Sequence, residues 1–107
     1  MEINGINFPD GQIADFCRRH GVRRLSVFGS ILRGPTPEGG FGFRPTSDVD
    51  ILVEFLPGRT PGLFYVGGLL MELREMLGRE VDLLTPQDLS HYFRHEVLRE
   101  AKPLYAA

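Results

Sequence analysis

Ser47-Asp48-Val49-Asp50-Ile51-Leu52-Val53-Glu54-Phe55 is the stretch on which the fold turns. Val49, Ile51, Val53 and Phe55 alternate with Asp48, Asp50, Leu52 and Glu54, which is the period of a strand with one face toward a core. Two apart in a strand, Asp48 and Asp50 project from the same face. Aspartate is depleted in strands, and a run otherwise built of Val, Ile and Leu has no structural need of it. Carboxylates held that close repel unless a cation lies between them or one takes up a proton. The economical reading is a divalent metal site.

On the N-terminal side, Val22 to Phe28 reads as a strand with Leu25 and Val27 on one face, ended by Gly29-Ser30. Ile31-Leu32-Arg33 follows as a short helical turn. Pro35 to Thr46 holds three prolines and three glycines and is a loop. Asp10 is placed to cap a helix through Arg19, with Ile13, Phe16 and Cys17 on its buried face and Gly21 as its stop.

On the C-terminal side, Pro57-Gly58 and Pro61-Gly62 bound a surface connection. Val66, Leu69, Leu70, Leu73, Met76 and Leu77 then recur at helical spacing over Leu63 to Leu77, before Gly78. Gly67-Gly68 inside that helix costs about 1 kcal/mol per glycine relative to alanine, which close packing on a neighbour would explain. Glu80 to Leu84 is a third strand and carries Asp82. Thr85-Pro86-Gln87-Asp88 opens a helix expected to run to about Ala101, with Pro103 as its stop. The order is α-β-(turn)-β-α-β-α, one domain over residues 1–107 of α/β (α+β) class, a small mixed sheet with helices.

A Gly-Ser turn entering a helix offers backbone N–H groups and a hydroxyl to a phosphate. The Gly-Lys-Ser/Thr ending of a Walker A loop is absent, as is a dinucleotide fingerprint, and a plain turn fits Gly29-Ser30 equally well. The carboxylates say more. If the strands of Asp50 and Asp82 are neighbours, three acids converge and two metals become possible, one gripping a nucleotide triphosphate and the other activating an acceptor hydroxyl. The competing reading has Asp48 capping a turn with Ser47, Asp50 solvated on an edge strand and Asp82 paired with an arginine. All three acids beside one Gly-Ser turn favour the metal.

Composition narrows the classes. A net charge of −2 argues against a broad nucleic-acid-binding surface. Arg18, Arg19, Arg23 and Arg24 form a local cluster, read as a solvated helix end and strand start, with an acidic partner as the alternative. The single cysteine, Cys17, cannot form an internal disulfide and reads as a small buried residue. No apolar run is long enough for a membrane span, and the first residues lack the pattern of a signal peptide, so the expected location is cytoplasmic. His20, His91 and His95 do not make a zinc set. Tyr65, Tyr92 and Tyr105 are candidates for self-modification, with packing at the edge of the core as the plainer expectation.

Taken together, Gly29-Ser30-x-x-Arg33-Gly34, Ser47 to Phe55, Gly78-Arg79-Glu80-Val81-Asp82-Leu83-Leu84-Thr85 and Leu98 to Tyr105 resemble the minimal nucleotidyltransferases of the DNA polymerase β superfamily. The resemblance implies a small mixed sheet backed by helices. It implies that Gly29 and Ser30 hold the β- and γ-phosphates of ATP, and that Asp48, Asp50 and Asp82 bind Mg²⁺, two ions in all, with Mn²⁺ as an alternative. Asp82 would then also help to activate the acceptor. Arg33 either reaches a phosphate or is an exposed structural residue.

Many members of this size are similar to antitoxins that transfer AMP to a tyrosine of a HEPN-domain ribonuclease toxin. The expected role is therefore a protein adenylyltransferase with a HEPN toxin as partner. A binding-only antitoxin and transfer to a small-molecule acceptor are the alternatives. The loop Pro35 to Thr46 is longer than is typical of the family. Its Phe41 and Phe43 either lid the nucleotide or meet a partner, or they pack locally.

Overall fold

The computed structural model describes residues 1–33, 48–59 and 61–107. Six strands and four α-helices occur among them. They are β1 (Glu2–Ile3), β2 (Ile6–Asn7), α1 (Asp10–His20), β3 (Val22–Phe28), α2 (Ser30–Arg33), β4 (Val49–Phe55), α3 (Leu63–Leu77), β5 (Val81–Leu84), α4 (Arg94–Glu100) and β6 (Lys102–Ala106). The main sheet has the order β5-β4-β3-β6. β4 and β5 run parallel, while β3 is antiparallel to both β4 and β6.

Alternation along the strands builds the core. Leu25 and Val27 of β3, Val49, Ile51 and Val53 of β4 and Val81 of β5 are buried in one cluster with Ile13, Phe16 and Cys17 of α1 and Leu69 and Leu73 of α3. Burying each large apolar side chain contributes about 1.5–3 kcal/mol. The opposite face of β4 carries Asp50, Leu52 and Glu54. Leu52 is buried there as well, in register with Ser26 on one side and Leu84 on the other. α1 and α3 both end on a left-handed glycine, Gly21 and Gly78, whose N–H groups donate to Cys17 and Arg74 carbonyls.

Asp10 is the first residue of α1 rather than its cap, which is Pro9 with no side-chain cap bond, and three further parts of the sequence reading need correction. The final helix is not continuous. A single 3₁₀ turn over Pro86–Asp88 comes first, and Leu89 is extended. The Asp88 carboxylate accepts from the Thr85 N–H and hydroxyl, both at 2.9 Å, which closes the turn on itself. The Arg94 guanidinium then donates to the carbonyls of Pro86, Gln87 and Leu89, so those oxygens are satisfied without a helix. Second, Pro103 does not merely stop a helix. It lies in β6, opposite Ser26, on an edge strand where a missing N–H is tolerated.

Third, an N-terminal hairpin precedes α1. Asn4 and Gly5 both take positive φ, 49° and 85°, and join β1 to β2.

The glycine pair in α3 finds no close packing partner among the described residues. A Cβ placed on Gly67 or Gly68 would meet nothing within 4 Å, and both face outward. The arginine cluster is dispersed over local partners: Arg19 pairs with Asp15 and Glu72, and Arg24 stands 4.0 Å from Glu54. Among the described residues no helix is long and apolar enough to cross a membrane.

Candidate active site

The condition set by the sequence is met. β4 and β5 are neighbours, and Asp50 lies directly opposite Asp82 in the parallel register. Cross-strand partners share a face and sit on strands about 4.8 Å apart. Asp48 immediately precedes β4 and is exposed, as is Asp82, while Asp50 is half-buried between them. On its other side Asp50 is opposite Phe28, the last residue of β3, so the chain turns through Gly29-Ser30 right beside this carboxylate.

Gly29 is required there twice over. Its φ of +78° lies in the left-handed region, which side chains disfavour. A Cβ on it would also overlap Asp50 Oδ2 and stand 3.3 Å from Asp50 Cγ. The turn is held from below by the Leu32 N–H, which donates to the Gly29 carbonyl at 3.1 Å, and by Ile31, which is fully buried.

Asn4 reaches across from the hairpin and donates its side-chain amide to the Ile31 carbonyl. The reading of the sequence missed this support, although the Asn-Gly dipeptide was the available signal for a hairpin.

The electrostatics follow from the crowding. Burial, then the charge of Asp82, then that of Asp48 push the Asp50 carboxyl up to about 6, against a smaller opposing pull from Arg33. Two charges that raise the proton affinity of a third carboxylate in this way suit a divalent cation, which removes the repulsion. Asp48, Asp50 and Asp82 are the residues that could hold one. Among the described residues, no three His, Cys, Asp or Glu side chains already stand at ligating distance from a common point. Asp50 and Asp82 stand opposite each other across the strands, with Asp48 immediately before β4. Gly34, Ser47 and the loop with Phe41 and Phe43 lie outside the described residues.

The other candidates fall elsewhere. His91 is exposed in the turn before α4, and His95 is exposed on it, at a distance in sequence from the acids. Cys17 is fully buried in the core, which pushes its thiol up to about 12. Tyr105 is partly buried against the core, and Tyr65, 45% exposed, sets its ring edge-on against His20, whereas Tyr92, 80% exposed, does not pack on the core as the sequence suggested.

Acids gathered on a mixed sheet beside a Gly-Ser turn define an enzyme of the kind that moves nucleotidyl groups. Residues 10–104 match the nucleotidyltransferase domain family, and the chain belongs to it. A Methanocaldococcus jannaschii protein assigned as a protein adenylyltransferase, MJ0435, is 40% identical over 101 residues, 94% of this chain and 96% of that protein. Protein adenylyltransferase MntA of Thermococcus cleftensis is 40% identical over 82 residues, 77% of this chain and 74% of its own length. A solved structure described as a minimal nucleotidyltransferase superposes with a TM-score of 0.67 at 38% identity, covering 88% of this chain and 87% of that one. A toxin–antitoxin complex with AMP-PNP gives a TM-score of 0.68 at 22% identity, covering 94% of this chain and 75% of that one, a likeness of fold.

Proposed function

We propose that this chain transfers AMP from ATP to a tyrosine hydroxyl of a HEPN-domain ribonuclease toxin and so acts as its antitoxin. The observation that carries the reading is the register of Asp50 with Asp82 beside the Gly29-Ser30 turn. Relatives named as protein adenylyltransferases support it. So does the likeness of fold to an MNT antitoxin in complex with a tri-AMPylated HEPN toxin from Shewanella oneidensis, at a TM-score of 0.60.

In this reading the backbone of Gly29 and the hydroxyl of Ser30 bind the β- and γ-phosphates at the start of α2. Arg33 stands close enough to lower the proton affinity of Asp50, so its charge also offsets that of the triphosphate. Asp48, Asp50 and Asp82 would hold Mg²⁺, which supplies charge neutralisation and a more nucleophilic acceptor oxygen when bound. The acceptor oxygen bonds to the α-phosphorus as the bond to pyrophosphate breaks. Asp82, which is exposed, would also help to activate the acceptor.

The test is ATP labelled at the α-phosphate, incubated with Mg²⁺, this protein and a HEPN-domain partner, followed by intact mass of both chains. AMP on the partner, lost in the folded Asp48→Asn/Asp50→Asn variant, is the expected result. A stable complex in which no AMP moves would replace the reading with a binding-only antitoxin.

A further inference from the structure

At the far end of the sheet from the aspartates lies a second cluster of reactive side chains. His20, the last residue of α1, sits between Tyr65 and Glu72 of α3. Its Nδ1 is 2.6 Å from the Tyr65 hydroxyl, and its Nε2 is 3.0 Å from Glu72 Oε2. Glu72 also pairs with Arg19, which is fixed in turn by Asp15 at 2.8 Å. The hydrogen bond from Arg19, with a smaller contribution from His20, holds the Glu72 carboxyl below the usual range despite some desolvation.

An ionised carboxylate only accepts, so Nε2 carries the hydrogen and donates to Glu72. Nδ1 then presents its lone pair, and the Tyr65 O–H donates to it. Arg19 Nη1 also approaches Nε2, but at 3.3 Å, farther than Glu72. Edge-on contacts with Phe16 and Tyr65, ring centroids 4.9 and 5.5 Å away, hold the imidazole in that orientation.

A hydroxyl bonded to an imidazole that a carboxylate orients from behind is the arrangement of an activated oxygen nucleophile. A simple strut between α1 and α3 would need one such bond and no exposure. Tyr65 is instead 45% exposed, and the residues before it, Leu63 and Phe64, are 85% and 97% exposed. It opens on a cleft of about 370 Å³ lined also by His20, Gly58 and Arg59, which puts one cationic side chain in the lining of the same cleft.

We propose that Tyr65 is itself a nucleotidyl acceptor, modified by the aspartate site of a second copy of this chain. The proposal rests on the nucleotidyl-transfer reading above. Transfer within one copy is excluded by position: Gly21, next in the chain to His20, accepts from the Leu56 N–H at 3.0 Å, and Leu56, just past the end of β4, lies about 20 Å along the extended chain from Asp50. In the step, the Tyr65 oxygen bonds to the α-phosphorus of ATP and the bond to the β-phosphate oxygen breaks. Pyrophosphate leaves with the electron pair. The phenol proton passes to His20 Nδ1, and Glu72 stabilises the imidazolium. The product removes the Tyr65–His20 hydrogen bond and sets a phosphodiester beside Arg59.

The experiment is the labelled-ATP reaction with the full chain, Mg²⁺ and the HEPN partner, with both chains mapped by peptide mass. One AMP on Tyr65 is expected, with a rate that rises as the square of protein concentration. Tyr65→Phe should lose that label and still modify the partner. Mixed with Tyr65→Phe, the Asp48→Asn/Asp50→Asn chain should acquire it. His20→Ala should label at least about tenfold more slowly and recover with free imidazole. A labelled partner with Tyr65 bare, or His20→Ala labelled at the parental rate, overturns the proposal and leaves the proposed function standing. Both chains bare overturns both.

Discussion

Asp50 and Gly29 occupy one space: the carboxylate of the first fills the volume that a side chain on the second would need. Strand and turn are thus fitted to each other, and the fit fixes how far the Gly29-Ser30 backbone stands from Asp50. Gly29→Ala should lower AMP transfer by at least about 100-fold while costing about 1–3 kcal/mol of stability through strain at positive φ. Initial rates beside a denaturant titration measure both. A folded Gly29→Ala variant with parental activity would show that this spacing is irrelevant to catalysis.

Asp50 also carries a stability cost at neutral pH. Folding raises the Asp50 carboxyl from an ordinary 3.8 to about 6, so the folded state binds the proton more tightly than the unfolded one. Its favourable contribution is complete below pH 3.8 and is lost as pH rises to about 6. In chelator, Asp50→Asn should therefore melt higher than the parent at pH 7.5, by a few degrees at most given solvent screening, and be inactive. Thermal melts from pH 4 to 8 test this, and equal slopes for the two proteins would contradict it.

Asn4 tests how far the hairpin governs the turn. Asn4→Gly keeps the positive φ but removes the amide that Ile31 accepts. The expected result is a several-fold higher KM for ATP at nearly unchanged kcat, with a stability loss of about 1 kcal/mol. Steady-state kinetics decide, and an unchanged KM would confine the hairpin to a structural role.

Cys17 should behave as part of the core. With its thiol pushed up to about 12 by burial, almost no thiolate exists at pH 8. A thiol reagent should modify the folded protein at the rate of global unfolding, and denatured protein at once. Rapid labelling of the native chain would contradict the burial.

The elements that were legible in the sequence are those with a repeating apolar face. Ile13, Phe16 and Cys17 marked α1, Val49, Ile51 and Val53 marked β4, and Leu69 and Leu73 marked α3. β1 and β2 are two residues each, too short to show a period, and β6 hides behind Pro103 and only partly buried Leu104 and Tyr105. Leu52 looked like a polar-face residue, because local alternation cannot say that the second face of β4 is covered.

The three acids could be picked out as costly where they stood, yet their meeting depended on which strand pairs with β4, a long-range choice that spacing does not encode. The Tyr65–His20–Glu72 contacts were hidden for the same reason, since His20 comes from another helix.

β3 is an inner strand whose two partners arrive at very different times. Val27 lies opposite Ile51 on one side and opposite Lys102 on the other. Until the segment bearing Lys102 docks, β3 has one open edge, and closing so large a loop is slow. Recruitment of another chain to that edge competes with docking in the interval. The speed at which working molecules accumulate after synthesis is thus tied to a step remote from the acids, and variants of Lys102 to Ala106 will change yield before they change chemistry.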